Sequence, residues 1–182
     1  MSPTSPTTIL LVDGYNIIGL WPDLQRIRDN DGLEPARREL TERLIGYSTF
    51  HGFDARVIFD SQYRNSRGNR ETVTPYLCVV YTDFGQTADT HIEKACATLK
   101  REATVRKRRT IVATSDRAQQ LVVVGYGAEW MSAQQLASEV EVSNRRVRRR
   151  QQNAPKRSSR RLLSNSIDPD ARKRLARWQQ GL

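Results

Sequence analysis

Short apolar runs alternate along the chain with longer segments in which apolar residues recur every three or four positions. The apolar runs predict strands at residues 9–12, 55–59, 77–84, 110–114 and 128–131. The periodic segments predict helices at residues 34–47, 88–103, 116–125 and 132–152. Strands and helices that alternate in this way are typical of an α/β protein, with a mostly parallel sheet covered by helices on both faces.

Three segments lack this pattern. Residues 61–75 are polar and contain Gly and Pro, which predicts a loop. Residues 1–7 are expected to be disordered, and residues 153–166 form a predicted linker before a short helix at 168–180. The predicted organisation is a folded domain over residues 8–144, followed by a partly helical basic extension over residues 145–182.

The net charge of +10 is distributed unevenly over the 182 residues. Residues 1–144 hold 17 Lys or Arg and 18 Asp or Glu, a net charge of −1. Residues 145–182 hold 13 Lys or Arg against 2 Asp, a net charge of +11, and Arg outnumbers Lys by 11 to 2. A basic extension on a nearly neutral domain indicates a polyanion as partner. A solvated helix end without a specific partner is the simpler alternative.

The sequence predicts neither a targeting signal nor a membrane span. No run of about 18 apolar residues exists, so no membrane span is expected. The polar start MSPTSPTT does not have the layout of a signal peptide. Cys78 and Cys96 show no zinc-site spacing and are predicted to be buried, reduced thiols, which favours the cytoplasm.

Acidic residues stand where predicted strands end. Asp13, Asp60 and Asp116 follow apolar runs, and Asp89 and Glu93 open the helix after the third strand. The carboxyl ends of parallel strands meet at one edge of a sheet, so these side chains are expected to share a cleft. Several carboxylates in one cleft repel each other unless a divalent cation is bound. The pattern therefore predicts a site for Mg²⁺ or Mn²⁺.

Taken singly, an Asp after a strand is more often a helix cap or a turn residue. Several in the same topological place favour a shared site instead. Asp13 is the strongest case, because the DGYN turn leaves it at the mouth of the sheet with Asn16 nearby to orient it. Asp60 is left open between a metal ligand and a residue that holds the first turn after its strand.

Other catalytic classes do not fit the sequence. The two histidines, His51 and His91, are not arranged with Cys or Ser for nucleophilic catalysis. Neither GxxxxGK[ST] nor GxGxxG occurs, which excludes the common nucleotide-binding loops. The haloacid-dehalogenase pattern requires an Asp at position 15, where this chain has Tyr15. Carboxylate-held Mg²⁺, by contrast, can activate a water and stabilise the leaving oxygen of a phosphodiester.

Four motifs in order carry a family resemblance: LLVDGYNIIG, VIFDS, VVYTDFGQTADTHIEKA and IVATSDRAQQLVVVGYGAEWMSAQQL. Over about residues 8–140 the chain resembles the YacP-like branch of the NYN domain family, within the PIN-like nuclease superfamily. The resemblance implies a PIN-like three-layer α/β/α fold and a Mg²⁺- or Mn²⁺-dependent endoribonuclease that hydrolyses phosphodiester bonds. It also implies mRNA as the substrate and association with the ribosome.

Carried over by position, the resemblance assigns roles to individual residues. Asp13, Asp89 and Asp116 would be metal ligands, with Asn16 as the neighbour that orients Asp13. Glu93 matches the acid that follows the TAD motif by one helical turn. Two small hydroxyl residues of the motifs would cap helices or hold a water: Thr87 and Ser115.

Basic side chains along the domain and its extension are expected to contact RNA phosphates, with an affinity that depends on salt. The RNA-binding candidates are Arg64, Arg67, Arg70, Arg106, Lys107, Arg108, Arg109, Arg145, Arg146, Arg148, Arg149 and Arg150.

Two other functions are compatible with the same residues. One is a catalytically silent RNA- or ribosome-binding module that keeps the acids for folding, and the other is a PIN-like nuclease that acts on DNA or flaps. Catalysis is favoured, because all the motif acids are present.

Deletion of residues 145–182 is expected to weaken binding to RNA or ribosomes and to leave metal-dependent cleavage of short RNA intact. The reason is that the extension carries the excess positive charge, whereas the acids lie in the domain. Titration of labelled RNA at several salt concentrations measures the effect. Unchanged binding at low salt would contradict a role for the extension.

Overall fold

The computed structural model describes residues 8–61, 68–102 and 108–153. The linker and the terminal helix predicted after residue 153, and the N-terminal residues expected to be disordered, lie outside the described residues. The chain divides into two units at Arg148, and the architecture below is that of the first unit.

Six strands and six helices follow one another in the described residues. The strands are β1 (Thr8–Asp13), β2 (Asp54–Phe59), β3 (Asn69–Thr74), β4 (Leu77–Tyr81), β5 (Arg109–Ala113) and β6 (Glu129–Met131). The helices are α1 (Gly14–Leu20), α2 (Pro22–Asp31), α3 (Leu33–His51), α4 (Ala88–Glu102), α5 (Arg117–Gly125) and α6 (Ala133–Asn153).

The strands form one sheet in the order β3-β4-β2-β1-β5-β6. Every neighbouring pair is parallel except β3 and β4, which are antiparallel. The chain adds strands on the β2 side of β1 first, and then returns to the other side of β1 with β5. The order of the strands therefore reverses beside β1, and in such sheets a crevice opens at the carboxyl ends of the two strands.

Both faces of the sheet are covered, which confirms the predicted α/β class and its three layers. Leu10 and Val12 of β1 pack in one core with residues of α1, α2, α3 and α6. Ile9 and Leu11 point to the other face and pack with residues of α4 and α5. Burial on both faces explains why the parallel strands appear in the sequence as continuous apolar runs.

Two predictions of local structure were wrong. The predicted loop at residues 61–75 contains β3, whose side chains are mostly exposed because it is an edge strand, so it carries no apolar alternation. The strand predicted at residues 77–84 ends at Tyr81. Residues 14–31, for which no element was predicted, form α1 and α2 with a break at Trp21 before Pro22.

Cys78 and Cys96 are buried and unpaired, as predicted. In the part of the chain that the structure describes, no helix is both long and apolar enough to cross a membrane.

The first helix begins where β1 ends, with the side chain of Asp13 as its N-cap. The next residue must be Gly for steric reasons, because a Cβ on Gly14 would lie 2.3 Å from the ring of Phe59. Phe59 is fully buried at the end of β2, so its ring has no free space to move into.

Gly14→Ala is therefore expected to lower the free energy of unfolding by about 1–3 kcal/mol, the usual cost of overpacking a core. Gly19→Ala in the same helix is the matched control, since a Cβ there would meet nothing within 4 Å. Its free energy of unfolding should be unchanged or raised by up to about 1 kcal/mol, because Ala favours helix. Urea denaturation of both variants checks the pair, and equal effects would contradict the steric explanation.

Candidate active site

Asp13 lies at the centre of the carboxyl edge of the sheet. Its Oδ1 accepts a hydrogen bond from the backbone N–H of Asn16 at 3.2 Å, and the residue is 8% exposed. Burial raises the pKa of Asp13 to about 6, the Asn16 hydrogen bond opposes this, and the charges of Asp89, Asp60 and Asp116 add to the rise. The buried carboxylate thus shares its surroundings with three other acids.

Asp89 projects from the first turn of α4. Burial is the main cause of its raised pKa, followed by the charges of Asp116, Glu93 and Asp60. The Nε2 of Gln119 donates a hydrogen bond to Oδ1 of Asp89 at 2.5 Å, which links α5 to α4 across the cleft.

Asp116 and Asp60 both hold helix N-termini. Oδ1 of Asp116 accepts from the backbone N–H groups of Ala118 at 2.7 Å and Gln119 at 3.1 Å, so Asp116 caps α5. Oδ2 of Asp60 accepts from the N–H of Ala88 at 3.4 Å, at the start of α4. A capping role and a shared site are therefore compatible for these acids: each holds a helix N-terminus, and the charge of each also raises the pKa of Asp13.

Glu93 follows Asp89 by one turn of α4, and its charge acts on Asp89. The acids that act on Asp13 are Asp60, Asp89 and Asp116, so the structure brings these four together, and Glu93 borders the group beside Asp89. The resemblance assigned Glu93 to the acidic site and the sequence left the role of Asp60 open, whereas in the structure the charge of Asp60 acts directly on Asp13.

Asn16 connects two of the turns that carry acids. Its side-chain Oδ1 accepts from the backbone N–H of Ser115 at 2.9 Å, while its own backbone N–H orients Asp13. The hydroxyl of Ser115 in turn accepts from the N–H of Ala133 at the start of α6 at 3.0 Å. These bonds fix the end of β1 against the end of β5.

The other hydroxyl residue of the motifs also acts as a cap. The Oγ1 of Thr87 accepts from the backbone N–H of Thr90 at 3.2 Å, in the first turn of α4. The predicted N-cap is therefore present.

Gln119 is a site residue that sequence reasoning missed. It is 3% exposed, and its Oε1 is buried without a hydrogen-bond partner among the described residues. One sequence signal could have indicated it. Gln119 lies four residues before the apolar Val123 on α5, so it shares the helix face that is buried against the core. Such a buried amide requires a polar partner, and here the partner is a carboxylate.

The donor set suits a hard divalent cation, because its ligands are all carboxylate oxygens. In the hydrogen bonds described above, each of the four Asp residues accepts through one oxygen only. Within residues 8–61, 68–102 and 108–153, however, no three acidic, His or Cys side chains form a ready-made metal-binding group. The charges of these acids therefore act on one another, but their side chains are not arranged as the ligands of one metal ion.

The RNA-binding candidates are dispersed over the fold. Arg70 lies in β3. Arg109 begins β5 and Arg108 directly precedes it, so both lie opposite the edge with the acids. Arg109 forms an ion pair with Glu129 at 2.5 Å. The candidates on α6 are Arg145, Arg146, Arg148, Arg149 and Arg150. Those outside the described residues are Arg64, Arg67, Arg106 and Lys107.

Arg145 and Arg146 of α6 both interact with neighbouring side chains. Arg145 forms an ion pair with Glu141 at 2.8 Å, and the guanidinium of Arg146 lies 6.0 Å from the ring centroid of Phe50.

Comparison with known proteins gives consistent matches. The model of the YacP-like NYN domain matches residues 10–180, so the match extends well past the motifs and into the basic extension. YacP of Bacillus subtilis (strain 168) is 38% identical over 142 residues, which cover 78% of this chain and 80% of that protein.

Solved structures agree with the sequence match. The crystal structure of Rae1 (YacP) from Bacillus subtilis is similar with a TM-score of 0.66 and 32% identity, covering 95% of both chains. The structure of a mutant of the same protein gives the same TM-score and identity, and covers 93% of this chain and 98% of that chain.

Asp13→Asn is expected to raise the free energy of unfolding in EDTA at pH 7 by up to about 3 kcal/mol, since one pKa unit corresponds to about 1.4 kcal/mol. The pKa of Asp13 is about 6 in the fold against 3.8 for an unperturbed Asp, so the stability that its protonated form contributes is complete below pH 3.8 and is lost as the pH rises through 6. Asn keeps the helix cap. The gain should therefore shrink as pH falls from 7 to 4.

Urea denaturation at several pH values measures this effect. Asp23→Asn is the control, because the exposed Asp23 pairs with Arg26 and its pKa is lowered by that hydrogen bond. It should give no gain at pH 7. A gain for Asp13→Asn that does not change with pH would contradict the explanation.

Proposed function

This chain belongs to the YacP-like NYN domain family, a nuclease-like family of the PIN-like superfamily, and we propose on that premise that it is a metal-dependent endoribonuclease. The observation that carries the proposal is the buried carboxylate of Asp13 at the point where the strand order reverses, with its pKa raised by burial and by the charges of Asp60, Asp89 and Asp116. A fold does not keep four acids in one crevice for stability alone, because their repulsion opposes folding.

The residues proposed to hold Mg²⁺ or Mn²⁺ are Asp13, Asp89 and Asp116, with Glu93 beside Asp89. Asp60 is placed to support them through the start of α4. When bound, such an ion supplies charge stabilisation and lowers the pKa of a coordinated water. The proposal is supported by the raised pKa of Asp13: burial, and after it the charges of the neighbouring acids, disfavour the ionised carboxylate, and a bound cation would stabilise it.

Hydrogen bonds give the carboxylates a defined geometry before any ligand arrives. The Asn16 N–H holds Asp13, and the Gln119 amide holds Asp89. The Asn16–Ser115 hydrogen bond fixes the turn next to Asp116. Groups oriented in advance reduce the cost of reaching the reactive geometry, so these positioning residues are expected to matter for rate more than for fold.

The proposed substrate is single-stranded RNA. We expect it to be mRNA, cleaved at the ribosome in the cytoplasm. Support comes from the charge distribution: a nearly neutral domain carries the acids, and the Arg-rich residues 145–182 provide affinity for phosphates. The family match covers most of that extension, which places it within the span of the family.

A cleavage assay tests the proposal. End-labelled RNA and DNA are incubated with wild type, Asp13→Asn and Asp89→Asn in Mg²⁺, Mn²⁺ or EDTA. We expect cleavage of RNA with either metal, products with 5′-phosphate and 3′-hydroxyl ends, and no cleavage in EDTA. Each substitution should reduce the rate at least ~100-fold, since changes even in residues that support metal ligands often cost 10–100-fold.

Asp31→Asn is the matched control, because Asp31 is an exposed acid at the end of α2. It should cleave like wild type. Cleavage that survives both active-site substitutions would contradict the metal site, equal cleavage of DNA would point to a DNA-directed nuclease, and RNA binding without cleavage would favour a silent binding module.

A further inference from the structure

Phe84 is the most exposed large hydrophobic residue in the described part of the chain, with 83% of its surface accessible. Burial of a Phe side chain is worth roughly 1.5–3 kcal/mol, so a fold gains nothing by presenting it to water. Phe84 lies between β4 and α4, at the same edge of the sheet as the acids. Only the short connection to Ala88 separates it from Asp89 on α4.

The backbone around Phe84 is a closed turn. The N–H of Gln86 donates to the carbonyl of Asp83 at 2.9 Å, and Gly85 adopts φ +78°. A positive φ at the third position is typical of a type II turn, in which Phe84 occupies the second position and its side chain points outward.

The turn is also anchored at both ends. The hydroxyl of Thr82 donates to the carbonyl of Gln86 at 2.6 Å, and the hydroxyl of Ser61 donates to the carbonyl of Asp83 at 2.8 Å. Ser61 and Thr82 are themselves buried. Phe84 is thus exposed on a rigid support, which limits the entropy that an interaction with it would cost.

A polar groove starts at this turn. Two adjoining cavities of about 460 and 290 Å³ share Arg56, Gln86 and His91 in their walls. Asp83 and Gln86, which flank the Phe84–Gly85 pair, both line the groove.

The groove has an excess of cationic side chains. Its remaining basic residues are Arg70, Lys94 and Arg108, against the acids Asp83 and Glu102. Arg56 forms an ion pair with Asp54 at 2.7 Å. Burial lowers the pKa of His91, and the charges of Arg56 and Lys94 lower it further while Asp83 opposes them. Arg56 and Lys94 thus place two positive charges near His91 against the one negative charge of Asp83, which suits an anion.

We propose that Phe84 stacks on an unpaired base of a single-stranded RNA whose adjacent phosphates lie along the groove of Arg56, Arg70, His91 and Lys94. The inference rests on the proposed function and specifies the substrate path: one strand passes from the acids, over Phe84, into the groove. A base has an aromatic face and a phosphate on either side, so one exposed ring beside a cationic groove matches its chemistry. A duplex keeps its bases stacked inside and offers no face to Phe84.

The surroundings of Phe84 do not favour a protein partner. Its neighbours in the turn are Asp83, Gly85 and Gln86, and a hydrophobic docking surface requires a contiguous apolar patch of several hundred Å². A lone aromatic side chain among polar groups fits a flat aromatic ligand better.

Binding of a labelled single-stranded RNA of about 12 nucleotides, measured in EDTA, tests the stacking interaction without cleavage. Phe84→Ala should weaken binding by at least about fivefold, the lower bound for loss of one stacked base. Phe84→Leu, which keeps an apolar side chain without an aromatic face, should be equally weak. Phe84→Trp should bind as well as wild type or better, and the RNA should quench the additional Trp emission relative to wild type.

Leu121→Ala is the matched control, because Leu121 is 79% exposed on α5 but lies outside the groove. Its affinity should equal that of wild type. A blunt RNA duplex should bind wild type and Phe84→Ala equally. Equal affinity of wild type and Phe84→Ala for single-stranded RNA would overturn the stacking role, as would equal losses for the strand and the duplex.

The salt dependence of the same binding tests the groove. Lys94→Gln should reduce the slope of log affinity against log salt by about 0.7, the value for one phosphate contact on a single strand. Lys100→Gln on the same helix is the control, since Lys100 donates to the carbonyl of Gly125 and lies outside the groove. A slope unchanged by Lys94→Gln would overturn the phosphate path.

The binding assay separates this inference from the proposed function. Loss of binding in Phe84→Ala supports the strand path whether or not the wild type cleaves RNA. Metal-dependent cleavage with unchanged affinity in Phe84→Ala rejects the strand path and leaves the nuclease proposal intact.

Discussion

The burial of the Asp13 carboxyl beside other acids is the constraint on which the rest of the structure depends. The residue is almost fully buried at the centre of the sheet, next to three other acids. Such an arrangement costs free energy in the absence of a cation, and the rest of the fold must hold it in place. Continuous apolar strands on both sides of β1 supply that rigidity, because β1 pairs with β2 and β5 along nearly its full length.

The four acids lie on separate elements of the fold, and each also has a structural role there. Asp13 and Asp116 cap α1 and α5, Asp60 holds the start of α4, and Asp89 receives the amide of Gln119. The stabilising value of a helix cap, typically about 1 kcal/mol, offsets part of the electrostatic cost. The same side chains therefore serve the fold and the site, and substitutions at them affect both properties.

The sequence predicted the parallel sheet and the acidic edge because both depend on simple local patterns. Apolar runs mark the buried parallel strands, and the acids follow directly after them. The edge strand β3 was not predicted, because its exposed side chains carry no apolar alternation. Gln119 was also missed, since its partner Asp89 is 30 positions away and on another helix. The role of such a residue depends on a partner that is distant in the sequence, and local sequence patterns do not identify that partner.

The hydrogen bond between Asn16 and Ser115 joins residues that are 99 positions apart. Ser115 is tied in turn to Ala133, whose carbonyl accepts from the indole of Trp21 at 2.8 Å. The crevice thus needs the first helix, the fifth strand and the sixth helix together. A nascent chain that has exposed only β1 to β4 possesses Asp13 but lacks the opposite wall. During synthesis the walls of the crevice can therefore come together only after most of the domain has left the exit tunnel, so the proposed site forms late.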